Sequence, residues 1–283
     1  MAVSLESLTE SLCRLPVIGL VVRAALKSRD DNAKDMSASI AFFSFFSLFP
    51  LLLGVIAGAS LLLDEGEIQR RLAEVLSNAL PGSVEFVSGN VEAVFRLRGV
   101  AGVASLVGLM WSASKMSGSL SRGINQALGL KRKHPSYFEP ARRFLLTLLG
   151  ALLLVVALSI STTASLLARF EVSVLDNALE RVATFANGHV TSVLAIFVAL
   201  TWLYRVVPYE SPARKDILIG AAIAALLAEL GKTVFVVYIS SIADFEAVYG
   251  SLSSVIVLML WLYIAARIIL LGAEVIALSG EKA

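Results

Sequence analysis

Charge is scarce in this sequence. Asp, Glu, Lys and Arg make up 16% of its 283 residues, against about 25% in soluble domains. With 57% hydrophobic residues and a mean hydropathy of +0.81, most of the chain is suited to lipid rather than water. One cysteine, Cys13, excludes an intrachain disulfide. Histidine occurs only at His134 and His189, and neither has a metal-ligand neighbour at the usual short spacing. There is no phosphate-binding Walker loop and no dinucleotide-binding glycine pattern. The N-terminus, MAVSLESLTESLCRLP, is too polar and acidic for a cleavable signal, so the first spanning helix is expected to act as the membrane signal.

Long apolar runs are plentiful. About 20 residues of helix cross a bilayer, and six stretches qualify, at about 36–63, 100–121, 144–168, 190–207, 217–239 and 250–278. The expected fold is all-α: a polytopic integral membrane protein with six transmembrane helices and amphipathic interfacial helices. Residues 1–35 form the first amphipathic segment, with Leu8, Leu12 and Leu15 at helical spacing and Lys27, Arg29 and Lys34 behind them. They read as a cytoplasmic helix lying on the membrane surface. The transmembrane domain covers 36–279, and 280–283 is a tail. Within 64–99, Ile68, Leu72, Val75, Leu76 and Ala79 share one helical face, and so do Val84, Val87, Val91, Val94 and Phe95 after Pro81-Gly82. Two extracytoplasmic amphipathic helices are expected there, and a similar short one in 169–189.

Basic residues set the orientation. With the N-terminus inside, the inner connections carry 15 Lys and Arg and the outer ones 6. Both termini are therefore expected in the cytoplasm. The basic connection LKRKHPSYFEPARR is explained by the same rule, so no nucleic-acid partner is expected. The two histidines then fall on opposite sides of the bilayer, which excludes a shared metal site or acid–base pair.

The few charges inside spans are informative, because each costs about 2.5–3.5 kcal/mol at a helix centre. In LLAELGKTVF, Glu229 and Lys232 stand at i, i+3 near the middle of the fifth span, close enough to pair. Ala221, Ala225 and Ala228 lie on the same side, and small residues let helices approach closely. That face should look into the bundle. The pair is either a structural lock between helices or a substrate- or proton-coupled site at the midplane. In the second span Trp111, Lys115, Gly118, Arg122 and Asn125 fall on one face, with Lys115 also able to snorkel to the interface. In the sixth, Tyr263, Arg267 and Glu274 repeat the pattern toward the cytoplasmic end. The intramembrane charges are in slight positive excess, which suits an anionic headgroup. The first span carries Ser37, Ala41, Ser44 and Ser47 as a small hydroxyl-bearing edge, and Pro50, a candidate hinge because it removes a helical donor.

Taken together these stretches resemble the YihY/BrkB family of inner-membrane proteins. DMSASIAFFSFFSLFPLLL is similar to its opening span, and WSASKMSGSLSRGIN to its second-span pattern. LYRVVPYESPARKDILIGAAIAALLAELGKTVFVVYI is similar to its Tyr-Arg-x-x-Pro connection and fifth span, and YGSLSSVIVLMLWLYIAARIILLGAEVI to its closing span. Glu229-x-Gly231-Lys232 resembles the YihY-like branch, and Arg267 departs from the family pattern. The resemblance implies a six-helix protein of the bacterial inner membrane. The family has carried a ribonuclease BN label that is widely regarded as a misassignment. Its other associations are with virulence and serum resistance, export of lipid or lipopolysaccharide precursors, and ion antiport. It supplies no catalytic set.

The expected function is a transporter or flippase-like protein for an anionic lipid or amphiphile in envelope biogenesis, not an enzyme. Substrate binding or coupling falls to Glu229, Lys232, Lys115, Arg122, Asn125, Arg267 and Glu274. Alternatives are a non-transporting scaffold for envelope assembly and an ion/proton antiporter, although Lys232 one turn away should hold Glu229 ionised. Neither a cofactor nor a metal is expected. The expected partners are membrane lipids, an anionic lipid substrate among them, with homo-oligomerisation left open.

Overall fold

The computed structural model describes residues 16–30, 32–59, 101–130, 177–241 and 249–280. Every regular element among them is helical: α1 Pro16–Asp30, α2 Ala33–Ala59, α3 Ala101–Ala127, α4 Asn177–Val206, α5 Arg214–Ser241, a 3₁₀ turn Gly250–Leu252, and α6 Ser253–Gly280. Three of these are long and apolar enough to cross a membrane, over His189–Val206, Arg214–Ile239 and Ser253–Gly280. The expected span 144–168, the amphipathic segments in 64–99 and the leucines of the first 15 residues lie outside the described residues.

Local chemistry sets the helix ends. Asn32 adopts φ 51° between α1 and α2, a left-handed conformation that asparagine tolerates, and its carbonyl accepts the Asp35 and Met36 N–H groups at 3.1 and 3.2 Å. At the end of α3, Gly129 has φ 69°. Leu130 N–H reaches back to Asn125 O at 2.8 Å and Gly129 N–H to Gln126 O at 2.9 Å, the paired bonds of a Schellman motif. Two residues past the end of α4, Pro208 cannot extend it. Ala213 O then accepts Asp216 and Ile217 N–H, both at 3.1 Å, to start α5.

α6 is the central element, packed against α5, α2, α1 and α3, while α4 packs on α5. The main core joins Ile40 of α2, Ile124 of α3, Leu200 and Tyr204 of α4, Ala221, Ala224 and Ala225 of α5, and Ala266, Leu270 and Ala273 of α6. Small residues allow the backbones to meet: a Cβ on Gly220 would lie 2.7 Å from Gly272 O. The Ala221 and Ala225 side of α5 does face inward, with both residues fully buried and Glu229 beside them 8% exposed. The serine edge of α2 is also inward. Ser37, Ser44 and Ser47 are buried, and Ser39 and Ser119 share a hydrogen bond across α2 and α3 at 3.1 Å.

The opposite faces are apolar yet exposed. On α4 these are Val190, Leu194 and Val198, at i, i+4, i+8; on α5 they are Leu226, Leu230, Val234 and Val237. Such continuous exposed rows fit contact with lipid chains.

The helices differ from the expected spans in three respects. α4 begins at Asn177 rather than at 190, so His189 and the residues before it continue one 30-residue helix instead of forming a separate short one. At about 1.5 Å per residue α4 is about 45 Å long, well beyond a hydrocarbon core of about 30 Å. α3 runs on to Ala127, which carries Arg122 and Asn125 into the helix. Finally, α1 does more than lie on a surface: Leu20 and Ala24 bury against Val275 of α6, with Leu271 and Leu278 around them.

Candidate functional site

Glu229 lies 15 residues into the 28-residue α5, about 22 Å from its start at helical rise. Its carboxylate is held across the α4–α5 interface. Oε1 faces His189 Nδ1 at 2.5 Å. Oε2 accepts the Ser192 hydroxyl at 2.8 Å and the Lys232 ammonium at 2.8 Å. Lys232 also donates to Ser192 Oγ at 3.2 Å, which closes a small network. Thr233 Oγ1 donates to the Glu229 carbonyl at 3.0 Å. A charge taken out of water needs both a partner and hydrogen bonds to its remaining lone pairs, and this carboxylate has both. Its side chain is only 10% exposed, whereas those of His189 and Lys232 are 36% and 26% exposed. The anion therefore forms the floor of the cluster, and the two basic groups form its open side.

The Glu229–Lys232 pair was expected from the i, i+3 spacing; His189 and Ser192 were not. The expected fourth span started at Val190, which left His189 in an outer connection with no role. The helix continues through it and delivers it to α5. A signal was present in hindsight: His189 and Ser192 are themselves i, i+3 on α4, matching Glu229 and Lys232 on α5.

The other candidates do not converge on this cluster. Lys115 and Trp111 are exposed on α3. Arg122 is exposed and donates to Ser119 Oγ at 3.0 Å. Asn125, on the stripe expected to be shared with them, is 2% exposed. Its amide donates to Ser121 O at 2.7 Å, and its carbonyl accepts Tyr209 N–H at 2.8 Å, so it ties α3 to the α4–α5 connection. Arg267 donates to Ser28 Oγ of α1 at 3.0 Å. Glu274, fully buried, pairs with Lys27 of α1 at 2.6 Å. α2 continues as helix through Pro50, whose side chain lies outside the described residues. The candidate set thus divides by partner: Glu229 and Lys232 bond across the α4–α5 interface, Arg267 and Glu274 are tied to α1, and Asn125 is tied to the α4–α5 connection.

Asn125→Ala should leave Tyr209 N–H without its acceptor. The expected loss is about 1–3 kcal/mol, read as a lower Tm in detergent; an unchanged Tm would show that the bond contributes nothing. Among the described residues no three His, Cys, Asp or Glu side chains converge as metal ligands.

Comparison with known proteins places these features in a family. Residues 24–283 match the family described as Virulence factor BrkB. The UPF0761 membrane protein YihY of Salmonella typhimurium is 28% identical over 207 residues, covering 73% of this chain and 69% of that protein. A UPF0761 membrane protein of Cronobacter sakazakii is 26% identical over 259 residues, covering 89% and 85%. One from Vibrio vulnificus, VV0203, is 25% identical over 249 residues, covering 86% and 76%. No solved structure matches the chain. With a match across nearly its whole length, relatives named as membrane proteins and an all-helical structure in its described residues, the chain belongs to the Virulence factor BrkB family of membrane proteins.

Proposed function

We propose that this protein is a transporter of an anionic lipid or amphiphile in the bacterial inner membrane, with His189, Ser192, Glu229 and Lys232 as its intramembrane polar site. One observation carries the reading: a buried carboxylate is held from two helices, and the basic groups that hold it remain part-exposed. Ionisable groups at membrane depth are expensive and belong to pathways more often than to packing. Here an arriving anion can exchange with Glu229 for the donors of His189 and Lys232. The cluster borders the exposed apolar rows of α4 and α5, Val190 and Leu194 on one helix and Leu230 and Val234 on the other. An amphiphile could keep its chains in lipid while its headgroup reaches the donors. On this reading both termini lie in the cytoplasm, which the inner excess of basic residues supports.

The competing reading is a scaffold whose cluster only locks α4 to α5. Charge neutralisation separates the two. With the protein in phosphatidylethanolamine/phosphatidylglycerol vesicles, translocation of fluorescent phosphatidylglycerol is followed by quenching from outside. Glu229→Gln and Lys232→Met should each slow it by about tenfold, the equivalent of about 1.4 kcal/mol. The exchanged pair Glu229→Lys/Lys232→Glu should regain the Tm but not the rate. Full translocation in either single variant would remove the midplane site, and recovery of both Tm and rate in the exchanged pair would favour the lock.

A further inference from the structure

A cleft of about 350 Å³ opens at the end of the bundle where α3 meets the α4–α5 connection. Met36, Arg122, Asn125, Leu130 and Tyr209 are among its lining residues. We infer that this cleft is a second binding site, distinct from the Glu229 cluster, for a phosphate-bearing anionic headgroup. The inference rests on the transport reading for its role, as the place where the headgroup is captured before it moves to the midplane, but not for the binding itself.

The charge of the cleft points to an anion. Among the described residues that line it, Arg122 is the one charged side chain and none is a carboxylate. Arg122 is exposed and gives one Nη to the Ser119 hydroxyl. Among the described residues it has no ion pair, which leaves donors of the planar fork for a ligand. That fork matches phosphate oxygens in a two-pronged way that a lysine does not reproduce. Tyr209 adds a hydroxyl-bearing ring, and Met36 and Leu130 give the cleft apolar wall.

The cleft is also built rather than incidental. Asn125, buried, accepts the Tyr209 N–H and so sets the position of the connection against α3. The Schellman turn at Gly129 fixes where Leu130 leaves the helix. The volume is at the small end of the range for ligand pockets, about 300–1,000 Å³: room for a headgroup, with the acyl chains left in the bilayer. Tyr209 precedes α5, and Glu229 lies about 22 Å along that helix from Arg214. None of His189, Ser192, Glu229 and Lys232 lines the cleft, so the two sites are separate.

The test is calorimetric titration of the purified full chain in detergent with short-chain phosphatidylglycerol, short-chain phosphatidylcholine and inorganic phosphate. Phosphatidylglycerol is expected to bind and the zwitterionic lipid to bind at least about tenfold more weakly. Arg122→Gln should weaken phosphatidylglycerol by about tenfold, Arg122→Lys by less, and Arg23→Gln, an exposed cation of α1 outside the lining residues, not at all. Binding of inorganic phosphate with the same Arg122 dependence would assign recognition to the phosphate group alone. Binding of the lipid only would assign it to the headgroup with its glycerol. Equal affinity in wild type and Arg122→Gln, or equal affinity for the two lipids, would overturn the inference. Glu229→Gln separates this from the transport reading. Headgroup binding is expected to survive in it while translocation fails. Normal translocation in Glu229→Gln with Arg122-dependent binding intact would leave the cleft standing and remove only the midplane site.

Discussion

Replacing Lys27 with methionine is expected to destabilise the protein by about 3–5 kcal/mol, the usual cost of removing one partner of a buried ion pair. Lys27 lies on α1, and its ammonium donates at 2.6 Å both to Glu274 Oε2 and to the Ala127 carbonyl at the end of α3. One side chain thus ties three helices. The Glu274 side chain is fully buried, while that of Lys27 is 29% exposed, so water softens the attraction and the loss should fall toward the lower end. Differential scanning fluorimetry in detergent should show Tm falling by on the order of 10 °C. Glu274→Gln removes the buried charge itself and should cost less than Lys27→Met. The double variant should be more stable than the sum of the singles predicts, because the carboxylate that Lys27 partners is gone as well. A wild-type Tm in Lys27→Met would show that α1 is not held by this contact.

The second large effect is expected at Gly272. A Cβ there would lie 2.8 Å from the Ala224 Cβ and would collide with the Tyr204 hydroxyl. Neither neighbour yields easily. Ala224 belongs to the buried α5 face, and Tyr204, also fully buried, donates to the Ile269 carbonyl at 2.7 Å. Gly272→Ala should therefore cost about 1–3 kcal/mol from overpacking, and Gly272→Leu should abolish the monodisperse peak in size-exclusion chromatography. Tyr204→Phe alone loses a buried hydrogen bond, about 1 kcal/mol. Combined with Gly272→Ala it should cost less than the sum of the two, since the phenylalanine has no hydroxyl for the new methyl to strike. Strict additivity would show that the glycine is not needed for this contact. In this chain the tyrosine of the Tyr-Arg-x-x-Pro connection thus meets the glycine of the LGAE element.

Much of this architecture was legible one helix at a time. Uninterrupted apolar runs named α5 and α6, because lipid-facing and core-facing positions on such a helix are both apolar and only polar residues break the pattern. The i, i+3 spacing identified Glu229 and Lys232 as a pair, and the alanines on the same side showed which way they face. The serine edge of α2 was readable for the same reason. Fold class and family followed from these local patterns and their order along the chain.

What periodicity could not supply is which face meets which. Glu229 finds His189 and Ser192 about 40 residues away on another helix, and Glu274 finds Lys27 across most of the chain. The polar stripe of α3 looked like one surface, yet it splits: Asn125 is buried and bonded to the Tyr209 connection, while Arg122 and Lys115 stay exposed. A helical repeat specifies directions around its own axis, whereas contacts depend on crossing angles and offsets set by side-chain volume at each interface. By itself, then, the sequence determined an all-helical membrane protein of the BrkB family with an inward-facing Glu229–Lys232 pair. The tertiary structure decided that the pair is a four-residue cluster, that α1 is pinned to α6, and that Asn125 is tied to the α4–α5 connection, because each of these depends on a distance between helices rather than on spacing within one.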